Sequence, residues 1–166
     1  MDRPDLYDSD ILAWSEQQAA ALRRLSSRRD LPNDLDLDNV VEEIESVGRS
    51  ELGRAESLII RILEHIAKAA SEPEATAVAH WRTECVGWRI GLVRAFSPSM
   101  RQRIEMDSLW ASGLKLAAAG LEEHGVQLSA ILPGPCPVSL DDLLSETFEF
   151  RDLVRRVAQP PVPPKV

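Results

Sequence analysis

Between Asp36 and Ala70, apolar or small residues return every three or four positions, at Leu37, Val40, Val41, Ile44, Val47, Gly48, Leu52, Ala55, Leu58, Ile59, Ile62, Ile66 and Ala69. The spacing predicts one helix of about nine turns, the longest element of the chain. Asp36 or Asp38 can accept hydrogen bonds from the open N-H groups of its first turn, where Glu42 and Glu43 also suit the positive end of the helix dipole. Gly48 and Gly53 each cost roughly 1 kcal/mol relative to Ala in a helix, so a neighbour approaches closely there or the helix bends.

The rest of the chain shows the same period. Tyr7, Ile11, Trp14, Gln18, Ala21, Leu22 and Leu25 predict a first helix, with Asp8 and Ser9 as caps and Arg23, Arg24, Arg28 and Arg29 at its negative end. Leu31-Pro32-Asn33-Asp34 is a loop, and Pro73 marks the turn after the long helix. A third helix carries Val78, Trp81, Cys85, Trp88 and Leu92 on one stripe and Arg82, Arg89 and Arg94 on its other face, and ends at Ser97-Pro98. A fourth runs from about Ser99 to His124, with Gly125 as its cap. The prolines between Ile131 and Pro137 exclude regular structure, after which Ser139 and Asp142 form a capping box for a short helix, Leu140 to Leu144. The resulting expectation is an all-α bundle of about four main helices with a short C-terminal helix. Residues 1–155 form one domain, and 156–166 form a disordered proline-rich tail.

Composition narrows the functional classes. The 166 residues suit one domain, and no stretch approaches the roughly 20 consecutive apolar residues of a membrane span. The start of the chain is acidic and polar, unlike an export signal, which points to a cytoplasmic protein. Cys85 and Cys136 lie far apart and read as reduced thiols. A net charge of -8 speaks against a general nucleic-acid binder.

Three stretches carry a resemblance: YDSDILAWSEQQAAALR, LDLDNVVEEIESVGRSE and LPGPCPVSLDDLLSETF. Together they resemble the bacterial family called domain of unknown function 29 over nearly the whole chain, the acidic middle motif being the most specific part. Members tend to carry a His near the end of the long helix and a Trp opening the next, here His65 and Trp81. Where members often have a second Trp closing the long helix, this chain has Ala69 and Ala70. The resemblance implies an all-helical fold and brings no activity and no catalytic residues with it.

Chemistry must therefore be sought residue by residue. Glu42, Glu43 and Glu45 are the densest acidic cluster, and with Arg49 they read as a solvated or interface face more readily than as a cation site. His65 and His80 lie almost symmetrically about the turn at Pro73, so a helical hairpin can bring them together. With Glu84 and Cys85 one turn further, they are the candidate ligands of a zinc-like site, against the plainer reading of hydrogen-bonded structural histidines. No glycine-framed nucleophile, phosphate-cradling loop or dinucleotide fingerprint occurs. Arg82 and Arg89 could meet acidic residues of a partner or of a second copy, and the run from Arg82 to Arg103 is the weaker candidate for touching nucleic acid.

The sequence thus favours a helical protein that acts by protein-protein contact, self-association included, over an enzyme. No cofactor is expected. A divalent metal at His65, His80 and Glu84 is the competing reading.

Overall fold

The structure is a computed structural model that describes residues 5–28 and 30–159. The proline run expected to form the tail lies outside the described residues, as does Arg29. Among the described residues the chain forms seven α-helices, one short 3-10 turn and no strand. They are α1 (Leu6–Ser9), α2 (Ile11–Leu25), α3 (Leu37–Ser71), α4 (Val78–Ala95), the 3-10 turn Pro98–Gln102, α5 (Met106–Glu122), α6 (Leu140–Leu144) and α7 (Phe150–Val157). None of these helices is long and apolar enough to cross a membrane.

The described residues group into two compact units, one drawn from residues 5–55 with 95–104 and the other from residues 56–94 with 105–159. The first holds α1, α2, the N-terminal part of α3 and the 3-10 turn. The long helix opens on Asp36, whose carboxylate accepts from the amide of Asn39 at 3.2 Å, as its cap position requires. The first helix differs from expectation. It is broken at Asp10, and this residue, rather than Asp8 or Ser9, caps α2 by accepting from the Ala13 amide at 3.1 Å. The same carboxylate accepts from the amide and hydroxyl of Ser99 at 2.8 and 2.6 Å. Burial pushes the Asp10 carboxyl upward, but the bonds from Ser99 and Ala13 outweigh it and hold the group below its ordinary value. This bond also explains a second departure. The helix expected from Ser99 begins only at Met106, because Ser99 is tied to Asp10, Pro98 opens a 3-10 turn, and Glu105 is extended at φ -98° and ψ 90°. Met100 and Ile104 are buried as their spacing suggests, within a turn rather than a helix.

In this unit the two helical glycines separate. A Cβ on Gly48 would stand 2.1 Å from Oγ of buried Ser15 and 3.0 Å from a methyl of Leu12, whereas a Cβ on Gly53 meets nothing within 4 Å. Gly48 is the close approach of α3 to α2.

The second unit is built on the C-terminal part of α3, whose Ile59, Ile62, Leu63 and Ile66 are fully buried. Helix α5 passes close over it at Gly113, where a Cβ would lie 3.2 Å from both the Leu63 Cβ and the Glu64 backbone nitrogen. Trp110 of α5 is wholly buried and donates its indole N-H to the Pro133 carbonyl at 2.9 Å, which ties the proline-rich loop to the core. Gly125, at φ 73°, ends the last turn after α5 as anticipated, and the Ser139–Asp142 capping box opens α6. Helix α7 was not anticipated. Phe150, Leu153 and Val157 bury one face of it, and its extent to Val157 carries the fold past residue 155.

Candidate functional site

Helices α3 and α4 of the second unit are joined by a short turn, and this hairpin brings His65 and His80 to one carboxylate. Glu84 Oε2 lies 2.8 Å from His65 Nε2 and 3.4 Å from His80 Nε2. His65 is buried, with Trp88 edge-on at 4.8 Å between ring centroids and Trp81 at 6.0 Å, whereas the His80 side chain is 72% exposed. Burial pulls the His65 imidazole below its ordinary pKa, and the bond to Glu84 only partly offsets this. The hydrogen bond from His65 in turn holds the Glu84 carboxyl below its ordinary range. A carboxylate only accepts, so the 2.8 Å contact places a hydrogen on His65 Nε2, while burial disfavours the charged imidazole. His65 Nδ1 has no hydrogen-bond partner, the nearest acid being Glu64 Oε1 at 3.9 Å, itself paired with Lys68 at 2.5 Å.

Cys85 stands apart from this cluster. Its sulfur faces the Ile62 carbonyl at 3.8 Å, and burial, with the charges of Glu84 and Glu64, pushes its thiol far above the usual range. Among the described residues no group of three or more His, Cys, Asp and Glu side chains is arranged to hold a metal ion. Two carboxylates that line a cleft of this unit have partners within the fold: Asp107 accepts from the Cys136 amide at 2.7 Å, and Asp142 is held by Ser139 and Arg156.

The candidate interface residues take mostly internal partners. Glu45 pairs with Arg23 at 2.7 Å, which lowers its carboxyl, and Glu42 pairs with Arg49 at 2.5 Å. Arg82 lies 3.8 Å from Glu149. Arg89 turns into the fold and donates to the carbonyls of Leu143, Leu144 and Ser145 at the end of α6, with its guanidinium over Phe148. In the 3-10 segment, Arg101 lies over Phe96 and Arg103 pairs with Glu16. Glu43 is exposed on α3.

A different set of residues is conspicuous on α4. Val86, Ile90 and Val93 are 42%, 46% and 46% exposed, and Ala79 and Thr83 continue their row at alternating spacings of four and three. Spacing of this kind keeps side chains on one helix face. The helix therefore carries two apolar stripes, Trp81, Cys85, Trp88 and Leu92 inward and Val86, Ile90 and Val93 outward. The signal was present in the sequence as more apolar residues than one buried face requires.

The model of the family described as "Domain of unknown function DUF29" matches residues 6–149. A solved structure from Rhodospirillum rubrum, described as an alpha-helical protein of unknown function, is 39% identical to the chain, covers 95% of this chain and 100% of its own, and superposes with a TM-score of 0.86. No curated protein matches the chain. On the family match and the near full-length likeness together, the chain belongs to the family of domain of unknown function DUF29.

Proposed function

We propose that the protein is a cytoplasmic helical module that works by binding another protein through the outer face of α4, rather than by catalysis. The observation that carries this reading is the exposed row Val86, Ile90 and Val93. Single exposed apolar side chains are ordinary, but a row of β-branched side chains on one helix face is a helix-docking surface in outline. Completing the burial of three side chains, each already about half covered, is worth on the order of 1 kcal/mol apiece before ordering costs. The carboxylates of the same unit are consistent with the reading, since Glu84, Asp107 and Asp142 all have internal hydrogen-bond partners.

The test is a photo-crosslinking amino acid placed at Ile90 in the protein expressed in its host, with Asp34, an exposed loop residue, as the control position. The expected result is a discrete protein adduct at Ile90 that is absent at Asp34. Equal labelling at both positions, or none at Ile90, refutes the reading.

A further inference from the structure

The outer face of α4 is apolar along its middle, with an exposed arginine at each edge. Its row runs from Ala79 to Val93, about 21 Å at 1.5 Å per residue. Exposed Arg82, 3.8 Å from Glu149, flanks it on one side, and exposed His80 and Arg94 flank it on the other, while Arg89 is turned into the fold. The only acidic residue of α4, Glu84, is turned to His65. Gly87 lies exposed beside the row, and a Cβ there would meet nothing within 4 Å, so the backbone offers room for another helix to come close.

A surface of opposite character exists on the N-terminal part of α3. Val40 and Val47 are 39% and 37% exposed, with half-buried Ile44 between them, and Leu35 just before the helix is 43% exposed. Asp36 and Glu43 stand on the same side of the helix as Val40 and Val47. From Leu31 to Gly48 the chain has six carboxylates and no Lys or Arg. Glu42 and Glu45 are neutralised by Arg49 and Arg23, which leaves Asp36 and Glu43 as the charges beside the row.

We infer that the α4 face of one copy receives the α3 face of a second copy, a contact between unlike surfaces. The inference rests on the reading of the α4 face as a docking surface and names its occupant. Both rows have the three-and-four spacing with which helices interdigitate at interaxial distances of 8–10 Å. Their β-branched side chains have little rotamer freedom to lose on docking. Charge selects the pairing: an α4 face against its own copy sets arginines against arginines, whereas against α3 it meets Asp36 and Glu43. Because each copy owns both surfaces, the contact repeats until it closes a ring or continues as a chain.

The experiment uses two variants of the full chain, V40K/V47K to block the α3 face and V86D/I90D to block the α4 face, each first shown by circular dichroism to keep the wild-type helical signal. Mass in solution is read by light scattering and sedimentation velocity over a concentration series at low and high salt. The expected results are concentration-dependent assembly of the wild type that salt weakens, a monomer for each variant alone with association weakened more than tenfold, and a one-to-one dimer when the two variants are mixed. The mixture is decisive, since it retains one intact copy of each face. Self-association of V40K/V47K alone, with V86D/I90D monomeric, would mean that α4 pairs with α4 and would overturn the inference while leaving the docking reading intact. A monomeric wild type at every concentration overturns the inference as well. In that case an Ile90 adduct to a different protein would still support the docking reading, and its absence would end both.

Discussion

Gly48 and Gly53 lie five residues apart in one helix and look alike in sequence, yet their replacement by Ala should move stability in opposite directions. At Gly53 the new Cβ meets nothing within 4 Å, so Gly53→Ala gains the helix propensity difference, up to about 1 kcal/mol. At Gly48 the same gain is opposed by a methyl placed 2.1 Å from Ser15 Oγ and 3.0 Å from Leu12. Ser15 is fully buried and donates to the Leu12 carbonyl at 2.9 Å, so turning its hydroxyl aside breaks a buried bond, at a cost of about 1–3 kcal/mol. Moving α2 outward instead costs a similar 1–3 kcal/mol of overpacking. The net for Gly48→Ala is a loss of up to about 2 kcal/mol. At roughly 2–4 °C per kcal/mol for a chain of this size, its melting point falls by up to about 8 °C, while that of Gly53→Ala rises by up to about 4 °C. Thermal melts followed by circular dichroism measure both. Adding Ser15→Ala to Gly48→Ala removes the nearest clash and should recover more than half of the loss, a coupling that a double-mutant cycle reads directly. A Gly48→Ala protein that melts above wild type, as Gly53→Ala should, would refute the close approach of α2 and α3.

Two further outcomes follow from the second unit. Because burial lowers the His65 pKa, the unfolded chain takes up its proton at a higher pH than the folded one; stability is complete above the ordinary value near 6.5 and declines as pH falls below it, and Glu84, also depressed, adds a decline of the same sign below its own ordinary value near 4.5. Urea midpoints at pH 7.5 and 5.5 should therefore fall in the wild type and fall less in His65→Gln, and equal slopes would contradict a buried neutral imidazole. Arg89→Met should uncap the carbonyls of Leu143, Leu144 and Ser145 at a cost of about 1.5–3 kcal/mol, with Arg89→Lys between it and wild type because an ammonium lacks the planar fork. Amide exchange measured by mass spectrometry should quicken over residues 140–148, and unchanged protection there would show that Arg89 does not hold α6.

Much of the helical architecture was legible because helix formation is a local matter of period and caps. The 3.6-residue recurrence marked α3 nearly end to end, Asp36 announced its cap, Gly125 its counterpart after α5, and Ser139 with Asp142 the start of α6. The hairpin that joins His65 to His80 could also be read, because two sites placed symmetrically about a proline turn face each other when the helices pack back to back. What failed was decided by partners distant in sequence. The period through Ser99, Met100 and Ile104 reads as helix, and the Asp10 carboxylate, 89 positions earlier, helps to hold Ser99 in a turn. Arg89 has the look of a surface arginine until the carbonyls of Leu143 to Ser145 arrive beneath it.

The same division applies to the candidate surface. Periodicity places Val86, Ile90 and Val93 on one line of α4, and Trp81, Cys85, Trp88 and Leu92 on another, because helix geometry alone determines which residues share a face. It does not say which line is covered. That choice belongs to packing in the second unit, where α4 lies against α3 and sets Glu84 on His65 and Cys85 against Ile62. The chain's periodicity and caps are enough to mark α3 and much of α2, α4, α5 and α6, while burial, which depends on every neighbour at once, decides which face of α4 is left for a partner.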